Sequence, residues 1–177
     1  MRPHITDADC QIVLSVVRRR TKPLTVFLTG ITFTAIGTVW LGVAILLGVL
    51  NQQGIQPLKE QDIFLRALFA PLLAWVFGRI IKKYFPRKRP FEYLKECPPL
   101  VGSPLNDSFP SLHAASTVAF CTALFLMHHP FAVGVGIWAI LVSFSRLYLG
   151  VHFLSDILAG IFLGTLCGSL VWIAAQS

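Results

Sequence analysis

The stretch Ser143-Phe144-Ser145-Arg146-Leu147-Tyr148-Leu149-Gly150-Val151-His152-Phe153-Leu154-Ser155-Asp156 places a serine, an arginine, a histidine and an aspartate in a chain that is apolar on both sides. An ionisable group at membrane depth costs roughly 3 kcal/mol on insertion scales and by default marks a functional site. His152 and Asp156 are four residues apart, so on a helix they share one face about a turn from each other. A carboxylate in that position can accept the proton of one imidazole nitrogen and leave the other nitrogen free for chemistry.

Working outward, the composition agrees with a membrane setting. Of 177 residues, 55% are hydrophobic and only 13% charged, which is too apolar for an ordinary soluble domain. The net charge of +7 fits cytoplasmic positive flanks and anionic lipid headgroups. Nucleic acid is disfavoured as a partner, because the basic residues flank apolar spans and not an exposed aromatic surface. The four cysteines, Cys10, Cys97, Cys121 and Cys167, lack metal-ligand spacing, and the last two read as small core residues. The first twenty residues lack an apolar core ending in a small-residue site, so no cleavable signal peptide is expected.

Taken in order, residues 6–20 carry Ile12, Val13, Val16 and Val17 at helical spacing and end in Arg18-Arg19-Arg20, the pattern of a helix lying in the interface. A first span is expected over 24–50, a polar turn over 51–62, and a second span over 63–81 with Arg66 and Arg79 snorkelling near its ends. A basic segment follows, Lys82-Lys83-Tyr84-Phe85-Pro86-Arg87-Lys88-Arg89-Pro90, and then a loop over 91–110. That loop either screens lipid headgroups or serves as a proline-stiffened connector. Further spans are expected over 111–127, 131–146 and 152–174, with a tight turn at His128-His129-Pro130. The third and fourth are short against the ~20 residues that cross a bilayer, so their polar ends should sit in a pocket walled by protein. The predicted fold is all-α: a polytopic membrane helix bundle of about five transmembrane helices, divided into an N-terminal interfacial segment (1–23) and a membrane-embedded domain (24–177).

Five spans put three polar clusters on one face of the membrane: Lys82 with Arg89, Ser111 with His113, and Arg146 with His152 and Asp156. Two guanidinium forks, an ammonium and a hydroxyl make a clamp for a tetrahedral dianion. The first-turn amides after Ser111 add donors at the favourable end of the helix dipole. Two histidines in such a site divide the work, one attacking phosphorus and the other protonating the leaving oxygen. Spacing alone does not say which does which. No carboxylate cluster is present to hold a metal, so neither metal nor cofactor is expected.

The pattern Lys82-x6-Arg89-Pro90, Pro110-Ser111-Leu112-His113 and Ser145-Arg146-x5-His152-x3-Asp156 resembles the three-part signature of the type 2 phosphatidic acid phosphatase (PAP2) superfamily. Those are membrane lipid-phosphate phosphatases related in fold and site to vanadium haloperoxidases. The resemblance covers about 63–174 in the correct order. It implies that His152 is the nucleophile forming a phosphohistidine, oriented by Asp156, and that His113 is the general acid. Lys82, Arg89, Ser111, Arg146 and the Leu112 amide would hold the phosphoryl oxygens. Leu112 stands where the family usually has glycine, which changes the pocket wall.

Lys83, Arg87 and Lys88 read as a positively charged flank, and His128 and His129 as a polar turn without a role. Gly160, Gly164 and Gly168 read as a small-residue seam for helix packing in preference to a lipid groove. By resemblance to small bacterial members, the expected substrate is a membrane lipid, first undecaprenyl diphosphate, then phosphatidylglycerophosphate or phosphatidic acid. A lipid phosphotransferase and a non-catalytic lipid-binding protein are the rivals. The density of Arg and Lys on the site face favours a cytoplasmic site, whereas the resemblance favours the extracytoplasmic face of a bacterial inner membrane. Oligomeric state is not legible.

Overall fold

Apolar residues at helical spacing, broken by proline, glycine and charge, give helices throughout the described part of the chain. The computed structural model describes residues 5–35, 63–102, 107–174 and 176, with isolated helical positions at 42, 45, 46 and 49. Its helices are α1 (Asp7–Val17), α2 (Lys22–Phe33), α3 (Ile63–Tyr84), α4 (Pro90–Tyr93), α5 (Leu112–Leu126), α6 (Ala132–Tyr148) and α7 (Leu154–Ala174). The expected first span begins in α2. Most of its remainder, the polar turn at 51–62 and the Arg66 side chain lie outside the described residues.

The short third and fourth spans are found as expected. α5 has 15 residues and α6 has 17, or about 22 and 26 Å of helix against a hydrocarbon core of about 30 Å. Among the described residues, α7 is the one helix long and apolar enough to cross by itself. The outer faces are apolar: Val26 is 74% exposed, Phe162 72% and Val133 71%. Such a belt is a liability in water and unremarkable against lipid chains.

Inside, the packing depends on small side chains. α5 lies against α7, α3 and α6, α3 also lies against α7, and α2 against α6. Ala70, Ala74, Ala115, Ala119 and Ala123 form one core cluster with Leu163 and Cys167. The glycine seam on α7 is what brings α5 so near. A Cβ on Gly160 would stand 2.6 Å from the Ser111 carbonyl oxygen, one on Gly168 2.7 Å from that of Ala119, and one on Gly164 would strike that of Ala115. Apolar chains gain little from mutual burial in lipid, so this close backbone approach is the available source of helix adhesion.

α1 differs from a helix that only floats in the interface. Thr6 caps it, its Oγ1 accepting the Asp9 N–H at 3.1 Å. Val13 and Val17 enter a core cluster with Cys97, Ala114, Leu147, Phe153 and Ile157. The turn at His128-His129-Pro130 also departs from a plain polar loop. His128 takes a positive φ of 52°, and the His129 amide donates back to the Leu124 carbonyl at 2.9 Å, closing the end of α5. His129 is buried, and its Nδ1 accepts the Phe131 N–H at 3.2 Å, so it is a structural cap.

Candidate active site

The connector between α6 and α7 sets His152. Gly150 has φ +75°, and a side chain there would collide with Cys97 Sγ (2.6 Å) and the Arg20 guanidinium (2.7 Å). Arg20 holds the same turn from outside, its Nε donating to the Tyr148 carbonyl at 2.9 Å and Nη1 to that of Pro98 at 3.0 Å. The chain then enters α7, where Asp156 sits in the first turn with its Oδ2 accepting the Phe153 N–H at 2.9 Å.

His152 and Asp156 face each other, with Nδ1 3.5 Å from Oδ2. At that separation Nδ1 makes no hydrogen bond among the described residues, the looseness expected of a reactive pair before a ligand arrives. On the other side of the ring, Arg89 Nη1 lies 3.3 Å from Nε2 and also donates to the Val151 carbonyl at 2.7 Å. A guanidinium can only donate, so Nε2 must present its lone pair and the ring proton must sit on Nδ1, facing Asp156. Burial, followed by the charges of Arg89, Arg146 and Lys82 and the nearby His113, holds His152 well below the ordinary imidazole value. The ring is therefore neutral at pH 7, with its free nitrogen beside a cation.

The phosphate-binding candidates gather around that nitrogen. Lys82 is buried at the end of α3, and its Nζ donates to the Asp107 carbonyl at 2.5 Å. Arg89 Nη2 reaches the same carbonyl at 3.3 Å. Burial lowers the Arg89 pKa to about 10, which leaves it charged at neutral pH. Arg146 is buried in the last turn of α6, with Nη1 donating to Thr32 Oγ1 of α2 at 2.6 Å and Nε without a partner among the described residues. Ser111 precedes α5; its N–H donates to the Asp156 carbonyl at 3.0 Å, while its buried Oγ has no partner among the described residues. Half-buried His113 lies in the first turn of α5, within electrostatic reach of Arg146, Arg89 and Lys82. All three sequence clusters thus meet at one place.

Leu112 turns its side chain away from this group. Its Cδ2 fills the space over Gly78 of α3, where a Cβ would strike it, and Leu163 closes the same space. The leucine is accommodated by a glycine on the neighbouring helix.

Sequence reasoning missed Arg87. Read as a solvated flank, it is buried, with Nη1 donating to Asp156 Oδ1 at 2.5 Å and to Ser155 Oγ at 2.7 Å, and Nη2 to Asp9 Oδ2 at 2.8 Å. Lys83 and Lys88 are exposed, as a flank should be. The available signal was alternation: residues 86–89 lie outside any helix, and Arg87 and Arg89, two apart, are both buried while Pro86 and Lys88 are exposed. Asp9, Ser155 and Thr32 were missed as well. Their relevance is set by contacts 78, 68 and 114 residues away along the chain.

A helix bundle enclosing a buried histidine, an aspartate and four buried cations has the charge to hold an anion such as a phosphoryl group, and comparison gives the family. Residues 63–177 match the PAP2 superfamily, and the chain belongs to it. It is 32% identical over 129 residues to the undecaprenyl-diphosphatase of Sulfolobus acidocaldarius, an alignment covering 72% of this chain and 59% of the relative. Among solved structures it is similar to the transmembrane PAP2-type phosphatidylglycerolphosphate phosphatase of Bacillus subtilis, with a TM-score of 0.79 and 30% identity over 96% of this chain and 85% of the other. It also matches Aquifex aeolicus LpxE with a TM-score of 0.82, covering 97% of this chain and 99% of the other; at 23% identity that likeness bears on the fold alone.

Proposed function

We propose that the protein is an integral-membrane lipid phosphatase that hydrolyses a lipid phosphate or diphosphate through a phosphohistidine. The observation that carries this is the placement of the His152 ring, with Asp156 facing Nδ1 and Arg89 facing Nε2, an arrangement that supports a proton on Nδ1 and a reactive Nε2 beside a cation. In this reading Nε2 attacks phosphorus, and the P–O bond to the leaving group breaks as the N–P bond forms. His113 gives the departing oxygen its proton, then takes one from the water that cleaves the N–P bond. Lys82, Arg89, Arg146, Ser111 Oγ and the Leu112 amide neutralise the equatorial oxygens, where the charge is greatest in the transition state. Ser111 Oγ and Arg146 Nε, buried and without partners among the described residues, support this, since such polar atoms call for a ligand or water.

Undecaprenyl diphosphate is the first substrate choice, supported by the Sulfolobus relative; phosphatidylglycerophosphate is the second, supported by the Bacillus structure. The lipid would enter sideways between helices, with its chain against the apolar belt. In this reading the site faces the extracytoplasmic side of a bacterial inner membrane, a choice supported by the resemblance to small bacterial family members. The test is phosphate release by detergent-purified protein from a panel of both lipids and phosphatidic acid, with chelator present, for wild type, His152→Ala and His113→Ala. Release by wild type that both variants lose supports the assignment, and release that survives His152→Ala overturns it. Transfer of label to a second lipid in place of water would identify a phosphotransferase.

A further inference from the structure

Four charged or ionisable groups stand in file across the protein, from the N-terminal helix to the nucleophile. Asp9 of α1 meets Arg87 at 2.8 Å, Arg87 meets Asp156 at 2.5 Å, and Asp156 faces His152 at 3.5 Å. Ser155 cross-links the file: its Oγ donates to Asp9 Oδ2 at 2.7 Å and accepts from Arg87 Nη1, and its N–H donates to Asp9 Oδ1 at 3.1 Å. Asp9, Arg87, His152 and Asp156 are all buried, at 5% exposure or less, and the Arg87 guanidinium stacks 4.8 Å over the Phe153 ring. A buried carboxylate far from substrate is expensive unless it does something for its partners.

We infer that Asp9 and Arg87 are positioning residues of the active site: Asp9 draws off part of the Arg87 charge, leaving Asp156 anionic enough to hold the Nδ1 proton and stabilise the charge His152 gains on phosphorylation. Without Asp9, the guanidinium would neutralise Asp156 alone and be free to swing. α1, which spacing alone marks as a surface helix, becomes the outer wall of the catalytic unit. The Asp9 carboxyl fits this role. Burial pushes its pKa up, yet the hydrogen bonds from Ser155 and the Arg87 contact outweigh burial and leave it below the ordinary value.

This inference rests on the proposed His152 chemistry, and the test separates the two. Phosphate release from undecaprenyl diphosphate or phosphatidylglycerophosphate in detergent micelles, whichever wild type turns over faster, is followed against pH for wild type, Asp9→Asn, Asp9→Glu and Val13→Ala. Val13 packs α1 without charge and controls for docking. The groups that could shape the profile are Arg87, Lys82 and His152 around Asp156; Arg89, Arg146, Lys82 and His113 around His152; and Asp7, Cys10, Arg87 and Ser155 around Asp9. Asp9→Asn is expected to lower kcat about tenfold or more with KM within about twofold, the size seen when an outer partner of a reactive group is lost. The acid limb of kcat/KM should move to lower pH, because His152 binds its proton less well beside a neutralised Asp156. Asp9→Glu should restore part of both effects, and Val13→Ala should leave the limb where wild type has it. If Asp9→Asn keeps the wild-type kcat and limb and only melts earlier, Asp9 merely docks the helix and the inference fails. If Asp9→Asn does not fold, Ser155→Ala carries the test: a displaced limb supports the inference and a wild-type limb overturns it. Full turnover by His152→Ala would instead remove the catalytic reading beneath it.

Discussion

Arg89 shows how one side chain can decide a mechanism. Its Nη1 serves both the Val151 carbonyl and His152 Nε2, and its Nη2 reaches the Asp107 carbonyl. Arg89→Lys keeps a charge but cannot hold three directions at once, so kcat should fall about 10- to 100-fold in a phosphate-release assay. His152→Ala should cost at least ~10³-fold, as knocked-out nucleophiles do elsewhere. The pH dependence follows from burial and the cations around His152. A nucleophile must be unprotonated, and a lowered pKa keeps it so further into acid; the acid limb of kcat/KM should lie below the usual imidazole value of about 6.5. A limb above that value would mean the ring is solvated or the base lies elsewhere. At this scale the meeting of Lys82, Arg89, His113 and His152 was legible, because motif spacing singles them out of the apolar background. Arg87 was not: in a segment of five cations it looks like any flank until Asp9 is brought to it.

Among the elements, the glycines of α7 and the glycine of α3 do separate jobs. Gly160 lets α7 press against the carbonyl of Ser111, and any side chain there would push the start of α5 off the Asp156 carbonyl. Gly160→Leu is therefore expected to cost about 1–3 kcal/mol of stability or more, with loss of phosphate release at temperatures where the protein stays folded. Gly78 receives Leu112. Gly78→Leu should impair both folding and activity, and Leu112→Ala in the same chain should recover part of the loss, a coupling that thermal denaturation of the four variants would measure. Additive effects would show that the two side chains do not share one space. The helices themselves were legible from apolar periodicity, and the bounds of α5 and α6 fall within two residues of the expected spans. The short α4 was hidden inside a loop of turn formers. It exists because Pro90 opens it and Glu92 accepts the Arg89 N–H at 2.6 Å, which also fixes the backbone that carries the Arg89 side chain.

At the scale of the molecule, odd span counting brings three distant stretches together, and the short α5 and α6 keep their polar ends below the surface. The same counting puts the end of α7 on the opposite face from the site. An alkaline-phosphatase reporter fused after Ser177 should therefore be inactive if the site is extracytoplasmic, and active in the periplasm if it faces the cytoplasm. Which face is occupied could not be read from charge, since Lys82 and Arg89 are buried and proposed to bind phosphate while Lys83 and Lys88 lie exposed as a flank. The most direct measurement is the covalent one: a millisecond quench of enzyme with ³²P-labelled substrate, followed by peptide mapping under alkaline conditions that preserve a phosphoramidate. Acid-labile label on His152 that builds up in wild type and is absent from His152→Ala is the predicted result. Label on another residue, or steady turnover with no label on the protein at any time, would contradict the central claim.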